Sequence, residues 1–256
     1  MFLSLLSING KLSAQPDYYS AELAPFSSNK YDEFSPVFYR GGIVFCSNRT
    51  DNIFIKYINS KNKENFNIYY IIPNDSVSAK DTKPLDKNLI SHFNDGPVTF
   101  NRMEKEEVIY YSRNMDIKVQ KKDVFDPQNT LGIFSARKDS GRWNLIQSFP
   151  YNSKNYNNTT PGYDTLNDRL YFASTMPGGF GGTDLYYSQR KDSTWGKPVN
   201  LGPTINTKGN ELYPFIDPSG RLFFSSDGHG GLGGKDMFLK EKKNGQWISP
   251  VHLKAP

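Results

Sequence analysis

The chain has 256 residues, of which 36% are hydrophobic and 14% aromatic, and it carries a net charge of +5. No stretch approaches the roughly 20 apolar residues of a membrane-spanning helix, which excludes a helical membrane protein, and the aromatic content argues against disorder. Basic and acidic residues are interleaved, which predicts a solvated surface and no nucleic-acid site, because such a site would need a clustered basic patch. Tyr, Phe, Ile, Thr, Asn and Gly are plentiful, and this composition favours strands and turns.

A short apolar run opens the chain from Phe2 to Ile8, and Ala14 follows it as a small residue suited to precede a cleavage point. This order is typical of a secretory signal, so we predict a signal segment over residues 1–14 and export of the rest. No basic residue precedes the run, and the alternatives are a true start further upstream or no signal at all. No cysteine follows the run, so a lipid-anchored N-terminus is not predicted.

Internal repeats organise the rest of the chain. Four hydrophobic runs end in a serine that follows a proline by 11 to 15 residues; these serines are Ser47, Ser112, Ser174 and Ser226. Asp184 and Asp236 each lie ten residues beyond the serine of their repeat. The tryptophans recur at intervals of 52 residues, as Trp143, Trp195 and Trp247. A fixed period of this kind is the signature of a repeat architecture.

Each repeat is predicted to contain four short strands: one that runs into the proline region, as in Leu212–Ile216, one ending at the serine, one starting near the aspartate and one starting at the tryptophan. Four antiparallel strands repeated every 40–50 residues or so are typical of a β-propeller blade. We therefore predict an all-β fold, a β-propeller over residues 17–256. Its blades are expected at about 29–90, 91–156, 157–208 and 209–256, with aromatic side chains packed between them.

Residues 17–28 predict a further outer strand that has no blade of its own. Four four-stranded blades plus this orphan N-terminal strand are interpreted as an incomplete five-bladed propeller; the alternative is a four-bladed ring with an extra edge strand. Polar insertions around Lys56–Phe66 and Asn114–Thr130 lengthen the first two repeats and are predicted to be surface loops. Cys46 stands alone within an apolar run, which predicts a small buried residue and no intrachain disulfide.

The segment Asn210–Phe238 resembles the TolB-type WD-like propeller repeat, and more narrowly the propeller region of OmpA-family envelope proteins from Bacteroidetes. Phe34–Tyr39, Asn94–Phe100 and Met176–Tyr186 resemble successive blades of that family in the same order. The resemblance implies an exported protein of the periplasm or outer membrane, similar to the peptidoglycan-linked component of the type IX secretion and gliding machinery. In that family a peptidoglycan-binding OmpA-like domain follows the propeller, and these 256 residues contain none.

Two glycine loops, Met176–Thr183 and Asp227–Lys235, are the most closely repeated feature. Their matched glycines are Gly178, Gly179, Gly181 and Gly182 in the first loop and Gly230, Gly231, Gly233 and Gly234 in the second. Strands flank both loops and no Lys-Ser/Thr follows, so a phosphate-binding P-loop is not predicted. We predict tight strand-to-strand loops whose amides donate hydrogen bonds to Asp184 and Asp236. A ligand- or partner-facing loop is the alternative, and a cation held by Asp227 and Asp236 lacks enough oxygen ligands.

No catalytic constellation is recognisable in the sequence. The histidines His92, His229 and His252 have no partner at i+4, and no Gly-x-Ser-x-Gly motif is present. We therefore predict no catalytic, cofactor-binding or metal-binding residues. Turns at Asp139 and Asp192 share part of the sialidase Asp box, and we interpret them as hairpin turns before a packing tryptophan.

The leading functional prediction is a non-catalytic, exported propeller that acts as a protein-interaction scaffold in the cell envelope, because rigid scaffolds present binding residues on loops. Its partners are expected to be envelope proteins, either peptidoglycan-associated or in the outer membrane. The predicted partner-facing residues follow the second strand of each blade: Arg49, Arg113, Phe180, Asp227 and His229. The alternatives are a carbohydrate-binding or glycan-processing propeller and a fragment without function.

Overall fold

The computed structural model describes residues 23–24, 26–49, 65–73, 81–91, 93–101, 107–115, 130–243 and 245–253. Within this part of the chain the structure consists of β-strands, their connections and a 3-10 turn at Lys87–Leu89. The predicted signal segment, residues 17–22 of the predicted orphan strand and most of both insertions lie outside the described residues. No helix among the described residues has the length and apolar character needed to cross a membrane.

The strands form four antiparallel sheets arranged as the blades of a β-propeller, which confirms the predicted fold class. Blade 1 contains β1 (Glu33–Tyr39), β2 (Gly42–Ser47), β3 (Asn67–Ile71) and β4 (Lys83–Pro84). Blade 2 contains β5 (Asp95–Asn101), β6 (Val108–Asn114), β7 (Leu131–Asp139) and β8 (Arg142–Ser148). Blade 3 contains β9 (Asn158–Asp164), β10 (Arg169–Ser174), β11 (Asp184–Lys191), β12 (Thr194–Trp195) and β13 (Val199–Asn200). Blade 4 contains β14 (Glu211–Ile216), β15 (Leu222–Ser226), β16 (Asp236–Lys240) and β19 (Val251–His252), with the hairpin β17 (Lys242–Lys243) and β18 (Gln246–Trp247) beside them.

The outer edge of blades 3 and 4 is divided into two short pieces. Trp195 and its equivalent Trp247 lie in a short hairpin, and the chain then returns as β13 or β19 to pair with the middle of the third strand. Pro198 and Pro250 stand between the two pieces, and proline has no amide hydrogen to donate to a strand ladder. The prediction of one continuous fourth strand from the tryptophan is therefore wrong for these blades. In blade 2, β8 is continuous and includes Trp143.

The second strand of blade 2 differs by one residue from the alignment predicted from the sequence. The first residue of the inner strand pairs with the repeated serine in blades 1, 3 and 4, as Glu211 pairs with Ser226, but in blade 2 Asp95 pairs with Arg113. One residue separates Asp95 from the following proline, whereas two do so in the other blades. The alignment of Ser112 with the other serines is therefore wrong by one residue, and a shift of one exchanges the two faces of a strand.

The hydrophobic core lies between successive blades, as predicted. We call the side of a blade that points toward the next blade its forward face, and the opposite side its rear face. Between blades 3 and 4 the packed side chains are Tyr171, Ala173 and Leu185 of the forward face and Leu222, Phe224 and Phe238 of the rear face. Equivalent clusters join blade 1 to blade 2 and blade 2 to blade 3. Burial of each large apolar side chain contributes about 1.5–3 kcal/mol, so these layers dominate the stability of the fold.

The inner strands approach one another closely at a repeated bulge. Thr160 and Tyr213, which directly precede the prolines of β9 and β14, have φ values of 47° and 54°. The amide of Tyr213 donates a hydrogen bond to the Oγ1 atom of Thr160 at 3.3 Å, and a Cβ atom at Gly162 would collide with the carbonyl of Pro214. Cys46 is buried on the forward face of blade 1, as predicted, and this burial raises the pKa of its thiol.

Candidate functional site

The two glycine loops occupy equivalent positions in neighbouring blades, between the second and third strands. The carboxylate of Asp184 accepts hydrogen bonds from the amides of Phe180 at 2.6 Å and Gly181 at 3.2 Å. Asp236 accepts the equivalent bonds from Leu232 at 2.8 Å and from the next residue at 3.2 Å. The prediction that these aspartates bind loop amides is confirmed, and each carboxylate holds the backbone of its own loop.

Glycine is required where each loop passes close to other atoms. A Cβ atom at Gly179 would collide with the carboxylate of Asp184, and one at Gly231 would collide with that of Asp236. Gly181 lies instead against the main chain of residues 207–209, which enter the next blade. These glycines are therefore required for packing, because any larger residue would have to displace a bound carboxylate or a backbone.

The two loops share the aspartate contact but follow different backbone paths. In the first loop φ is positive at Gly178 (89°), whereas in the second it is positive at Gly233 (115°) and Gly234 (70°). Gly230 has open space around its Cα atom, and Gly182 lies against the side-chain oxygen of Asn210. The glycines have the same spacing in both loops, but the two loops therefore do not share one backbone conformation.

The link between blades 3 and 4, residues 205–210, joins the two loops into one surface. The amide of Gly182 donates to the carbonyl of Gly209 at 2.8 Å, and Gly228 packs closely against the Thr207 side chain. The Nε2 atom of His229 lies 2.8 Å from the carbonyl oxygen of Ile205. We call the surface formed by residues 176–183, 205–210 and 227–235 the two-loop surface.

Two apolar side chains project from the two-loop surface at equivalent places. Phe180 is 46% exposed and Leu232 is 71% exposed, and each donates its amide to the aspartate of its loop. His229 is half-buried, because its ring packs against Phe224 and Phe238. The surface therefore presents two large apolar groups on a backbone that is held by carboxylates.

Two predicted partner-facing residues lie inside the fold. Arg49 is 2% exposed, forms an ion pair with Glu33 and donates to the carbonyl of Phe26 at 3.3 Å. Arg113 pairs with Asp95 at 2.5 Å and donates to the carbonyl of the link residue 89 at 2.9 Å. Each guanidinium thus connects the segment that precedes its blade with the end of the second strand of that blade. Their assignment as partner-facing residues is therefore corrected to a structural one.

Asp227 belongs to a contact that recurs in all four blades and that the sequence did not reveal. In each blade the amide of the residue before the inner strand donates to the side chain of a residue at the end of the second strand or directly after it. The pairs are Asp32–Asn48 at 2.8 Å, Asn94–Asn114 at 3.2 Å, Asn157–Thr175 at 2.9 Å and Asn210–Asp227 at 2.7 Å. The acceptor is an amide, a hydroxyl or a carboxylate, so no single residue type marks the position.

A titration of Asp227 tests its electrostatic setting. Lys235 donates to its carboxylate at 2.7 Å, and this hydrogen bond, with that from the Asn210 amide, lowers the pKa of Asp227 to about 2. We expect the NMR signal of the carboxyl carbon to titrate near pH 2 and to move toward the ordinary value of about 3.9 in a Lys235→Ala variant. Because the folded pKa lies below the unfolded one, the stabilisation is present above about pH 4 and is lost as pH falls toward 2. Lys208→Ala, at an exposed lysine of the link, is the control and should leave the titration midpoint of Asp227 unchanged. An unchanged midpoint of Asp227 in Lys235→Ala would contradict the conclusion that Lys235 lowers this pKa.

Blade 4 carries a histidine where blade 3 carries an asparagine. Asn200 donates its side-chain amide to Asp184 at 2.8 Å, and the Nε2 atom of His252 lies 3.4 Å from the Oδ1 atom of Asp236. Desolvation acts to raise the pKa of Asp236, but the hydrogen bonds it accepts from the loop amides, together with the nearby His252 ring, hold that pKa below its usual range. Asp236 therefore remains a charged hydrogen-bond acceptor at neutral pH and holds the conformation of its loop.

Three carboxylates occupy equivalent positions at the start of inner strands, namely Glu33, Asp95 and Glu211. The first two pair with the arginines described above. Glu211 accepts hydrogen bonds from the hydroxyls of Thr207 at 2.6 Å and Ser226 at 2.7 Å. Each of the three is thus bound by groups of its own blade or link. No three His, Cys, Asp or Glu side chains in the described ranges are arranged to hold a metal ion.

Comparisons with known proteins agree on the fold. No protein-family model matches the chain, and no curated protein matches its sequence. A solved structure of a protein of unknown function from Dyadobacter fermentans is similar with a TM-score of 0.53 and 12% identity, covering 90% of this chain and 71% of that one. A thermostable family-43 glycoside hydrolase is similar with a TM-score of 0.51 and 11% identity, covering 88% and 75%. A puromycin-hydrolyzing peptidase from Mycobacterium tuberculosis has the same TM-score and identity, with 86% and 31% covered.

A TolB-like protein from Agrobacterium tumefaciens is also similar, with a TM-score of 0.47 and 14% identity, covering 83% of this chain and 61% of that one. The chain therefore spans about a third of the length of the peptidase and less than two thirds of the TolB-like protein. Identities this low show a shared fold alone. The fold defines a β-propeller class whose members include enzymes, and it does not determine the function of this chain.

Proposed function

We propose that this protein is an exported, non-catalytic β-propeller that binds a protein partner in the cell envelope through the two-loop surface. The observation that carries the proposal is the exposure of Phe180 and Leu232 on loops held by Asp184 and Asp236. An apolar side chain on a fixed backbone loses little conformational freedom on binding, which favours affinity. A few large anchors of this kind supply most of the binding energy of protein interfaces.

The envelope location is part of the proposal. It is supported by the apolar start of the chain and by the resemblance of the glycine loops to propellers of OmpA-family proteins. The same resemblance favours a partner that is peptidoglycan-associated or lies in the outer membrane. The ion pair between Lys235 and Asp227 at the edge of the surface supplies the polar rim that protein interfaces commonly have.

A double substitution tests the two-loop surface. Phe180→Ser with Leu232→Ser should reduce capture of a partner from an envelope extract of the source organism at least tenfold, because both anchors are removed. The melting temperature should stay within about 2 °C, since exposed side chains away from packing contribute little to stability. The measurement is quantitative mass spectrometry of proteins retained by the immobilised chain, with thermal unfolding followed in parallel.

The matched control is Leu145→Ser, at an exposed leucine in β8, the outer strand of blade 2. It should leave capture within twofold of the unmodified protein. Equal capture by the unmodified chain and the double variant would contradict the assignment of the two-loop surface. Equal loss in the double variant and the Leu145 variant would show non-specific adhesion of apolar side chains.

A carbohydrate-binding or glycan-processing propeller is the second candidate, favoured by one cleft. A cleft of about 560 Å³ between the turns of blades 3 and 4 is lined by carboxylates, an arginine and a tyrosine, including Asp164, Arg221 and Glu241. The carboxylate of Asp164 is occupied by the amides of residues 166 and 167, and Arg221 pairs with Asp217. Glycoside hydrolysis generally needs two available carboxyl groups, so this cleft suits binding better than cleavage.

A glycan array discriminates between the two candidates. Under the leading proposal the chain binds no glycan on the array. Binding of a defined glycan that is lost in Glu241→Gln and retained in the Phe180 and Leu232 double variant would replace the protein-partner proposal with the carbohydrate one. The two variants lie on different surfaces, so each outcome identifies one site.

A further inference from the structure

A small pocket lies between blades 1 and 2. It has a volume of about 260 Å³ and is lined by Arg40, Glu107, Lys138 and Gly141. Arg40 lies in the turn between β1 and β2, Glu107 directly precedes β6, and Gly141 lies in the turn between β7 and β8. In an antiparallel blade these turns lie at the end opposite to the connection between the second and third strands, where the two-loop surface lies. The two blades therefore contribute charged groups to one pocket that is separate from the two-loop surface.

A continuous set of hydrogen bonds holds the charged groups beside the pocket. The Tyr39 hydroxyl donates to the Glu107 carboxylate at 2.8 Å and accepts a hydrogen bond from the Nζ atom of Lys138 at 2.9 Å. The Nε atom of Arg40 donates to the other carboxylate oxygen of Glu107 at 2.8 Å. Desolvation acts to raise the pKa of Glu107, but the hydrogen bonds from Arg40 and Tyr39 hold that pKa below its usual range. The carboxylate therefore stays charged at neutral pH and fixes both cations.

The ammonium group of Lys138 is confined and keeps unused donors. Its Nζ atom lies 5.4 Å from the ring centroids of both Tyr39 and Trp143, and the side chain is 19% exposed. An ammonium group has three N–H donors, of which the Tyr39 hydroxyl takes one. The distance of 3.6 Å from Nζ to Glu107 is too long for a good hydrogen bond. Lys138 can therefore donate to a ligand, and it loses little conformational freedom when it does so.

The guanidinium of Arg40 supplies further donors at the mouth of the pocket. It has five N–H donors, and among the described residues only its Nε group has an acceptor. The side chain is 59% exposed, so the terminal amino groups are accessible to a ligand. A guanidinium can bind a phosphate or a carboxylate through two parallel hydrogen bonds. Donors from two blades thus meet at one pocket.

The pocket carries an uncompensated positive charge. Its charged lining groups are two cations, Arg40 and Lys138, and one carboxylate, Glu107, which leaves a net charge of +1. Asp139 and Arg142, which pair across the neighbouring hairpin, offset each other. A concave site with an excess of one sign of charge attracts a ligand of the opposite sign. The ligand that suits this pocket is therefore an anion.

We infer that the pocket between blades 1 and 2 binds the phosphate group of a small phosphorylated molecule. A phosphate group has three acceptor oxygens that point in different directions, so it can accept hydrogen bonds from the guanidinium of blade 1 and the ammonium of blade 2 together. The pocket volume corresponds to roughly eight water molecules at about 30 Å³ each, which leaves space beside the phosphate for a small organic group. This site adds small-molecule binding to the proposed protein scaffold.

Titration with inorganic phosphate, glycerol 3-phosphate and acetate tests the inference. The backbone amide of Gly141 and the side-chain Nε group of Arg40 are followed by NMR. Glycerol 3-phosphate should give saturable shifts with a Kd of about 1 mM or lower. Inorganic phosphate should bind no more tightly than the ester. Acetate should bind at least tenfold more weakly, because its two oxygens lie in one plane and it carries a smaller charge.

Three outcomes of this titration would overturn the inference. The first is the absence of saturable shifts with about 20 mM glycerol 3-phosphate, a concentration far above the expected Kd. The second is equal affinity for acetate and the phosphates, which would show a general anion site. The third is tighter binding of inorganic phosphate than of the ester, which would assign the pocket to the free ion.

Two variants in the pocket and one matched control locate the binding site. Arg40→Gln and Lys138→Met should each weaken binding of glycerol 3-phosphate about tenfold or more, because each removes charge-assisted hydrogen bonds. Methionine preserves the apolar stem that packs on Trp143, and Arg40 is exposed, so its variant tests the site even if Lys138→Met fails to fold. Lys191→Gln, at the exposed end of β11 in blade 3, removes the same charge elsewhere and should change the Kd less than about twofold.

The variants also separate the pocket from a general effect of net charge. Equal weakening in Lys191→Gln and Arg40→Gln would show that only the charge of the whole chain attracts phosphate, and it would overturn the inference. An unchanged Kd in Arg40→Gln would do the same. None of these variants alters the two-loop surface, so partner capture tests the proposed function independently.

Discussion

Arg49→Met is expected to lower the free energy of unfolding by about 3–5 kcal/mol, the cost of removing one member of a buried ion pair. Arg49 and Glu33 are both almost fully buried, so the substitution leaves a carboxylate in the core without its partner. It also removes a donor to the carbonyl of Phe26, which belongs to the link that covers blade 1. Urea unfolding followed by tryptophan fluorescence measures the change, and methionine keeps most of the apolar volume of the arginine stem.

Two comparisons sharpen this experiment. Arg40→Met breaks the ion pair between Arg40 and Glu107 and should lower the stability far less than Arg49→Met does, because Arg40 is well exposed and exposed ion pairs contribute little. Adding Glu33→Gln to Arg49→Met should restore at least half of the lost stability, because the uncompensated charge is removed. A loss below about 1 kcal/mol for Arg49→Met alone would contradict a structural role and return Arg49 to the list of surface candidates.

Gly181→Ala is expected to lower the free energy of unfolding by about 1–3 kcal/mol, the range found for overpacked sites. Its Cβ atom would collide with the main chain of Thr207 and of the two residues after it, and a backbone cannot rotate aside as a flexible side chain does. The collision should also separate the first glycine loop from the link and weaken the two-loop surface. Thermal unfolding should show a fall of a few degrees, since about 1 kcal/mol corresponds to 2–4 °C in a chain of this size.

Gly230→Ala is the matched control, because its position in the second loop has open space and no positive φ. It should change stability by no more than about 0.5 kcal/mol. Partner capture should fall in Gly181→Ala and persist in Gly230→Ala, which links the loop–link contact to binding. If the two substitutions changed stability and partner capture equally, the loss of a glycine, and not the contact of Gly181 with residues 207–209, would account for both effects.

Much of the architecture could be predicted from the sequence, because the repeated residues lie close in the chain to the strands and turns that they mark. The prolines, the serine-ended apolar runs and the tryptophans recur at nearly constant spacing, and each marks a strand or turn within one blade. The start of the third strand near Asp236 follows directly from this spacing and is present in the structure. The bonds from loop amides to Asp184 were predictable for the same reason, since donor and acceptor are four residues apart.

The register of blade 2 could not be predicted, because it depends on a single missing residue. When the sequences of the four repeats are aligned, Ser112 matches the serines that end the second strands of the other blades. The structure pairs Asp95 with Arg113 instead, since the inner strand of this blade has one residue fewer before its proline. The recurring contact between the link and the second strand was hidden for a different reason: its acceptor is an asparagine, a threonine or an aspartate, and only the position in space is repeated.

The sequence by itself determined the class of this protein: an all-β propeller of four blades with aromatic layers between them and two glycine loops closed by aspartates. These properties depend on residues that are close in the chain and on alternation along single strands. Only the tertiary structure decided what is inside and what is outside. It buried Arg49, paired the partly buried Arg113 with Asp95, and left Phe180 and Leu232 exposed. Burial depends on which segments pack against one another in the folded protein, and the residues near a position in the chain do not determine that packing.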